Sequence, residues 1–507
     1  MGTALLSLFL VGCSDVLDEQ PRSIYTPDYF KTEAGVMGGL TSEYATLRRM
    51  WGDAYFYSNG LTGTDEATWA ASGGQGNFKI MDISGEGIIS ATASDASGLW
   101  GNAFPAINTA SGIIENATVV GTISEALISE ARFFRAFYYF YLVQNFGGVP
   151  LDLGAGELMF NTQPVRRSVR NTVPEVYTKA IFPDLLTAVE KLPDAGRLTG
   201  ALTKTAARLI LSKAYLTYAW WLENPNNIPT YPACDRVDPD GHNAAWYFQK
   251  AYDISTAAIA SPGSFGLCAT YYDVNVATND RNKEIVLYAD RTQSSQYYND
   301  ASLTYASGGG ADNFAAWMMN WGYTAITSSK TSWAASTVCN SVQREAEQHL
   351  GRPWTRMAPP IEVFTKTFAD KTNDSRYDGT FTTVFRGNWN KAGITNATLY
   401  NANDMLIKQG DAVLSFLDED PATPLTYFVA GAATDHSGVG AAEVPGRADW
   451  VIAPSGISRV VYPNCAYKIG TYRTDNGTGL GLPNGSITRP FPVSKFSELF
   501  FIAAEAA

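Results

Sequence analysis

Histidine and cysteine are scarce in this chain, with three and five in 507 residues, and the scarcity removes several chemistries at once. His242, His349 and His436 stand far apart and no Cys-x-x-Cys pair occurs, so neither zinc-site spacing nor a dithiol redox motif is present. No metal and no cofactor is expected. Basic charge is also in deficit: 37 Lys plus Arg face 49 Asp plus Glu, a formal net charge of −12, with no basic run to offset it. Such a chain repels a phosphate backbone, which argues against nucleic acid as a partner. The sequence also lacks a Gly-x-Ser-x-Gly elbow, a phosphate-cradling glycine loop and a His-Glu-x-x-His helix, so no catalytic residue is assigned. Its apolar run at Ala4 to Val11 is far shorter than the roughly 20 residues that span a bilayer.

Aromatic residues, by contrast, are plentiful at 13%, including 27 Tyr and 12 Trp, while charged residues reach only 17%. That balance suits surfaces that stack on neutral ligands. The densest stretch is Glu130 to Leu151, E-A-R-F-F-R-A-F-Y-Y-F-Y-L-V-Q-N-F-G-G-V-P-L. Apolar residues at Leu127, Ala131, Phe134, Phe137, Tyr138, Tyr141 and Leu142 recur at three- and four-residue spacing, with Glu130, Arg132 and Arg135 between them. The pattern predicts an amphipathic helix with a wide aromatic face, nearly engulfed by its neighbours. Gly147 and Gly148 suit a left-handed C-cap and Pro150 stops the helix.

This string resembles the signature helix of the SusD/RagB family of starch-utilisation-type outer-membrane lipoproteins. The resemblance implies a mainly α fold, in which a tetratricopeptide-like scaffold of helical pairs carries a loop-rich, irregular ligand-binding region. It also implies a cell-surface role, capturing glycans, or peptides in RagB-like members, for a TonB-dependent, SusC-like β-barrel transporter.

A second match lies at the amino terminus. Leu10-Val11-Gly12-Cys13 resembles a lipobox, in which Cys13 becomes the lipidated first residue of the mature protein, although Met1 to Thr3 contains no basic residue. Ser14 to Pro21 follows as an acidic, aperiodic tether similar to the family's mature start. Residues 1–12 are thus read as a signal peptide, 13–27 as a lipid-anchored tether, and the location as the outer membrane at the cell surface.

Residues 28–290 are read as the helical scaffold. Pro27 to Trp51 carries a first apolar-periodic helix. Trp100 to Val119 resembles the family's W-x-x-x-F-x-x-I-N segment and pairs with the signature helix. Val173 to Leu192 and Thr203 to Trp221 form a second pair, with Ala206, Ala207 and Ala214 permitting close approach. A third begins at Asn243, after the polar connection Pro225 to Gly241, and Lys283 to Leu287 resembles a short family strand. Cys234 and Cys268 are the nearest cysteines in sequence, but spacing does not fix a disulfide.

Two aperiodic stretches are where binding is expected. In the loop 55–97, Asp65, Trp69 and Asn77 combine an indole with hydrogen-bonding groups, the chemistry of a sugar contact, although such a tryptophan can equally plug a loop onto its scaffold. In 291–490 the segment Gln293 to Asn340 is aromatic-rich and charge-poor, and Tyr297, Tyr298, Trp317, Asn320, Trp321 and Tyr323 are its ligand candidates. A guanidinium or carboxylate is costly to desolvate against a neutral sugar, whereas an aromatic face is not. Binding is therefore expected to be nearly insensitive to salt. Asp374 and Arg376 are read as an ion pair pinning a turn, and Tyr462-Pro463 resembles a family motif. Residues 491–507 resemble the start of a carboxy-terminal helical pair that stops without a cap or partner, read as a truncation. The alternatives to a glycan binder are a peptide binder and a glycoside hydrolase. The hydrolase needs two carboxylates roughly 5 to 10 Å apart, for which Asp300 and Asp312 are the candidates.

Overall fold

The computed structural model describes residues 27–51, 61–70, 94–163, 168–290, 319–328, 340–345, 347–351, 353, 357–430, 439–465, 470, 472 and 489–507. A short 3-10 turn, Pro27–Lys31, leads into α1 (Glu33–Met50), whose N-cap Thr32 accepts a hydrogen bond from the Gly35 N–H at 3.0 Å. Helices α2 (Ser94–Val120) and α3 (Glu125–Phe146) follow and pack on each other and on α1. The first turn of α2 lies inside the stretch read as loop, because Ser94 to Ser97 lacks apolar periodicity and joins the helix by continuation.

Helix α3 is the signature stretch, and the structure shows why it needs its charges. Both Glu130 and Arg135 are buried, at 4% and 5% exposure, so they are internal ties instead of a polar face. Arg135 reaches Asp184 through Nε and Nη2, at 2.7 and 3.0 Å, and also donates to Ser111 Oγ and the Leu158 carbonyl. Arg132 adds a third bond to Asp184 at 3.0 Å. Glu130 accepts from Arg197 Nε and from the Tyr44 hydroxyl, both at 2.7 Å, and the Tyr44 oxygen in turn accepts from the Leu202 N–H. The aromatic residues close the remainder: Phe133 and Phe137 stack at 5.5 Å, while Tyr138 and Tyr139 are fully buried.

The terminal glycines of this stretch serve close approach as well as capping. Gly147 has φ +72°, and a Cβ there would lie 2.3 Å from the Tyr231 carbonyl oxygen. At Gly148 a Cβ would lie 1.9 Å from the Asn171 carbonyl oxygen. No side chain fits either place.

Helix α4 runs from Val173–Glu175 through a π turn, Val176–Ile181, into Phe182–Lys191. It packs on α3 and on α5 (Lys204–Glu223), which packs in turn on α6 (Ala244–Ala260). A short helix α7 (Tyr271–Asn275) and strand β2 (Ile285–Ala289) complete this half. Cys234 and Cys268 carry free thiols.

The partner of α6 arrives only at the far end of the chain. Helix α8 (Glu498–Ala506) packs against α6 and α5, burying Leu499 and Ile502. Glu498 meets Lys213 at 2.7 Å and Glu505 accepts from Trp220 Nε1 at 2.7 Å. The expectation that this helix stands without a partner is therefore corrected: its periodic face is seated, while Phe501 is 68% exposed on the other side. Residues 261–497 are in effect an insertion between two paired helices.

That insertion has its own core and more strand than its composition suggests. Strands β4 (Val384–Arg386), β7 (Ala412–Phe416), β8 (Tyr427–Ala430), β9 (Val439–Ala442) and β10 (Trp450–Ile452) form a five-stranded sheet in the order β4-β7-β10-β9-β8, with β7 and β10 parallel. A hairpin of β5 (Thr398–Tyr400) and β6 (Leu406–Lys408) flanks it. Its stem is β2 paired antiparallel with β11 (Phe491–Lys495). The expected turn is present: Arg376 donates to Asp374 from Nε at 2.8 Å, and that bond holds the Asp374 carboxyl below its ordinary range. No described helix is long and apolar enough to cross a membrane.

Candidate ligand-binding site

Trp69 lies on a two-residue strand, β1 (Thr68–Trp69), which pairs antiparallel with β3 (Met357–Ala358) inside the insertion. A tight turn delivers it: the Gly63 N–H donates to Ala67 O at 2.8 Å and Thr64 N–H to Leu61 O at 3.2 Å. Asp65 is exposed on this turn. The Trp69 ring is half-buried, with one part packed against the insertion core. The Arg459 guanidinium lies over it, 4.2 Å from the ring centroid.

Met357 holds the two partners together. It is the Cα partner of Trp69 across the β1–β3 pair. Its carbonyl also accepts the Tyr462 hydroxyl, at 2.5 Å, from the residue that ends the turn bearing Arg459. That turn is closed by Ser458 N–H to Val461 O and Val461 N–H to Ser458 O, at 2.9 and 3.3 Å. Arg459 thus leaves a backbone fixed at both ends.

The other candidates are distributed differently. Trp321 and Tyr323 are 1% and 0% exposed, in the insertion core. Trp321 meets Phe385 edge-on and Tyr323 stacks on the same ring, each at 5.5 Å. The Tyr323 hydroxyl donates to Gly351 O, and burial pushes its pKa up. Both are corrected from ligand contacts to core residues, since no face is left for a sugar. Asn320 is likewise buried, at 1% exposure. Asn77, Tyr297, Tyr298, Trp317 and Cys13 lie outside the described residues, as do Asp300 and Asp312. Arg459 was not anticipated; its one sequence signal is its place three residues before the Tyr462-Pro463 pair.

Two concavities stand on the scaffold. One, of about 540 Å³, lies where α3 and α5 end, lined by Phe146, Tyr177, Trp220, Trp221, Tyr231 and Arg236. Its Arg236 is spent on the carbonyls of Trp221 and Ile228 and stacks on Trp221 at 4.4 Å. The other, of about 480 Å³, opens between the 195–203 loop and β2, with Arg281 and Lys283 in its wall. Arg281 is paired there with Asp290 at 2.5 Å. Among the described residues no group of three or more His, Cys, Asp or Glu is placed to hold a metal ion.

Residues 84–216, which span α2 to most of α5, match the SusD-like family described as starch-binding and associating with the outer membrane. The SusD-like protein P2 of Formosa agariphila is 31% identical over 225 residues, 42% of each chain. A SusD-like protein of Bacteroides ovatus is 29% identical over 308 residues, 59% of this chain and 51% of that one. The chain thus spans about half the length, or less, of the curated relatives it matches. Among solved structures, a laminarin-binding SusD-like protein superposes with a TM-score of 0.54 at 17% identity, covering 94% of this chain and 80% of the other. A SusD homolog from Bacteroides thetaiotaomicron has the same TM-score, with coverage of 95% and 74%. These two share the fold across scaffold and insertion alike, and in sequence the stretch around the signature helix, residues 84–216, is similar to the SusD-like family.

Proposed function

We propose that this protein is a cell-surface glycan-binding lipoprotein that captures oligosaccharide and passes it to a TonB-dependent outer-membrane transporter, without cleaving it. The observation that carries the reading is a half-buried indole fixed on the insertion by a strand pair and set beneath the Arg459 guanidinium, in a chain of SusD-like sequence and fold. A laminarin-binding relative of the same fold supports glycan as the ligand class. The family's description as associating with the outer membrane agrees with Cys13 as the lipid-bearing residue. Delivery to a β-barrel partner follows from a tethered binder having no transport path of its own.

Incubation with a polysaccharide panel, read for both retention and new reducing ends, tests the proposal. Retention without reducing ends is the expected result. Release of reducing ends would move the protein to the hydrolase class, and retention of peptides in place of glycans to the peptide-binding class. Trp69→Ala should weaken glycan retention about tenfold, since a stacked ring contributes on the order of 1 to 2 kcal/mol.

A further inference from the structure

The Arg459 guanidinium makes no hydrogen bond or ion pair among the described residues. Several other arginines are spent on carboxylates. Arg135 and Arg132 share Asp184, Arg197 holds Glu130, Arg447 holds Asp449, and Arg489 holds Asp280. Arg459 is half-buried, held over Trp69, and carried by a turn whose ends are fixed. Held over the ring, the guanidinium keeps N–H donors that make no hydrogen bond among the described residues, and these are left to meet a ligand.

A fixed guanidinium of this kind works against a neutral sugar. A hydroxyl returns little for the water stripped from a cation, whereas a carboxylate or sulfate oxygen pairs with two N–H groups in one plane. Resting on our reading of Trp69 as the glycan contact, we propose that the ligand is an acidic glycan, bearing uronate carboxylate or sulfate ester, and that Arg459 is the residue that selects it. The acidic group takes the guanidinium N–H donors while the indole beneath holds the guanidinium. Trp69 then acts partly as a positioning residue for Arg459, and Asp65 on the neighbouring turn offers an acceptor for a hydroxyl. The salt-independence expected for a neutral ligand is replaced by its opposite.

The test uses the full chain on an array carrying neutral β-glucan, oligouronate, sulfated oligosaccharide and acidic peptide. Calorimetry on the retained class follows, at 50 and 500 mM NaCl, for wild type, Arg459→Gln, Arg459→Lys and Trp69→Ala. Because Arg459 makes no hydrogen bond or ion pair among the described residues and its ring contact lies at the edge of the core, both of its variants should fold, and melting curves check this. The expected result is retention of an acidic glycan, with uronate and sulfate spots reporting which anion. Affinity should fall tenfold or more in Arg459→Gln and less in Arg459→Lys, and salt should weaken wild type severalfold but not Arg459→Gln. Retention of neutral glycan with full affinity in Arg459→Gln and loss in Trp69→Ala overturns the acidic-ligand inference and leaves the glycan reading standing. Acidic glycan bound equally by wild type and Arg459→Gln also overturns it. Retention of acidic peptide alone, or of nothing on the array by folded protein, overturns both.

Discussion

Glu43 gives the sharpest test of the energetics of this scaffold. It lies on α1 at 0% exposure, and neither carboxylate oxygen has a hydrogen-bond partner among the described residues. The Tyr138 hydroxyl beside it donates to the Glu43 backbone carbonyl, not to the side chain. Burial alone pushes its pKa well above the ordinary carboxylate range, because nothing nearby replaces the water lost by the charged form. The sign follows from linkage. The folded state holds the proton to higher pH than the unfolded chain does, so stability is greatest below the unfolded value of about 4.3 and falls as pH rises towards the folded value, by about 1.4 kcal/mol per pH unit. Above the folded value it is level again. Glu43→Gln removes the titration but keeps a buried polar group. Glu43→Met removes both at similar volume, and the second change should add about 1 to 3 kcal/mol at any pH. Urea unfolding at pH 5, 7 and 8.5, followed by near-ultraviolet circular dichroism, reads both effects. The Gln variant should gain on wild type as pH rises through this window, and the Met variant should exceed it by a constant margin. A wild-type protein as stable as Glu43→Gln at pH 8.5, with no change in the difference from pH 5, would refute the reasoning.

Asp184→Asn should destabilise the scaffold by about 3 to 5 kcal/mol in the same assay, because Arg135 and Arg132 then keep their charges without the carboxylate that both now share. Gly148→Ala should cost about 1 to 3 kcal/mol or more, since its Cβ would meet the Asn171 carbonyl oxygen at 1.9 Å. Gly101→Ala, whose Cβ meets nothing within 4 Å on an exposed face of α2, should instead gain about 0.5 to 1 kcal/mol. Cys13→Ala should shift the protein from the membrane to the soluble fraction and abolish any acyl mass on the mature terminus. Retention in the membrane would remove Cys13 as the anchor.

The helical half was legible because its periodicity and its punctuation agree. Leu127, Ala131, Phe134, Phe137 and Tyr138 recur at helical spacing, and Gly147 closes the run that Ser124 opens. What periodicity misread was the role of the charges between them. A buried Arg135 or Glu130 leaves the same gap in an apolar pattern as an exposed one, and only their partners, Asp184 and Arg197, distinguish the two cases. The five-stranded sheet escaped notice because its strands are three to five residues long, too short to show alternation above the surrounding Gly, Asn and Thr. In the aromatic segment, composition could not separate a ring that faces solvent from one that fills a core. Trp321 and Tyr323 fell on the core side, against Phe385, and Trp69 at its edge.

The architecture also explains why the candidate site depends on segments far apart in sequence. The insertion leaves after α6 and returns into α8 through the β2–β11 stem. Arg489 locks that stem, donating to Asp280 at 3.0 Å and to the Asn275 carbonyl at 2.9 Å, while Lys495 reaches Asn275 Oδ1 at 3.1 Å. A stem alone fixes one edge of a body this large. Among the described residues a further attachment is β1, which comes from the chain between α1 and α2 and pairs with β3 inside the insertion. Trp69 is a residue of that attachment, and Arg459 reaches it from the insertion side through the turn that Tyr462 anchors on Met357. The indole and the guanidinium therefore belong to two different chain segments joined at one backbone residue. Their separation is set by a strand pair and a buried hydroxyl bond, so a ligand that needs both groups meets them already in place and owes little ordering entropy on binding.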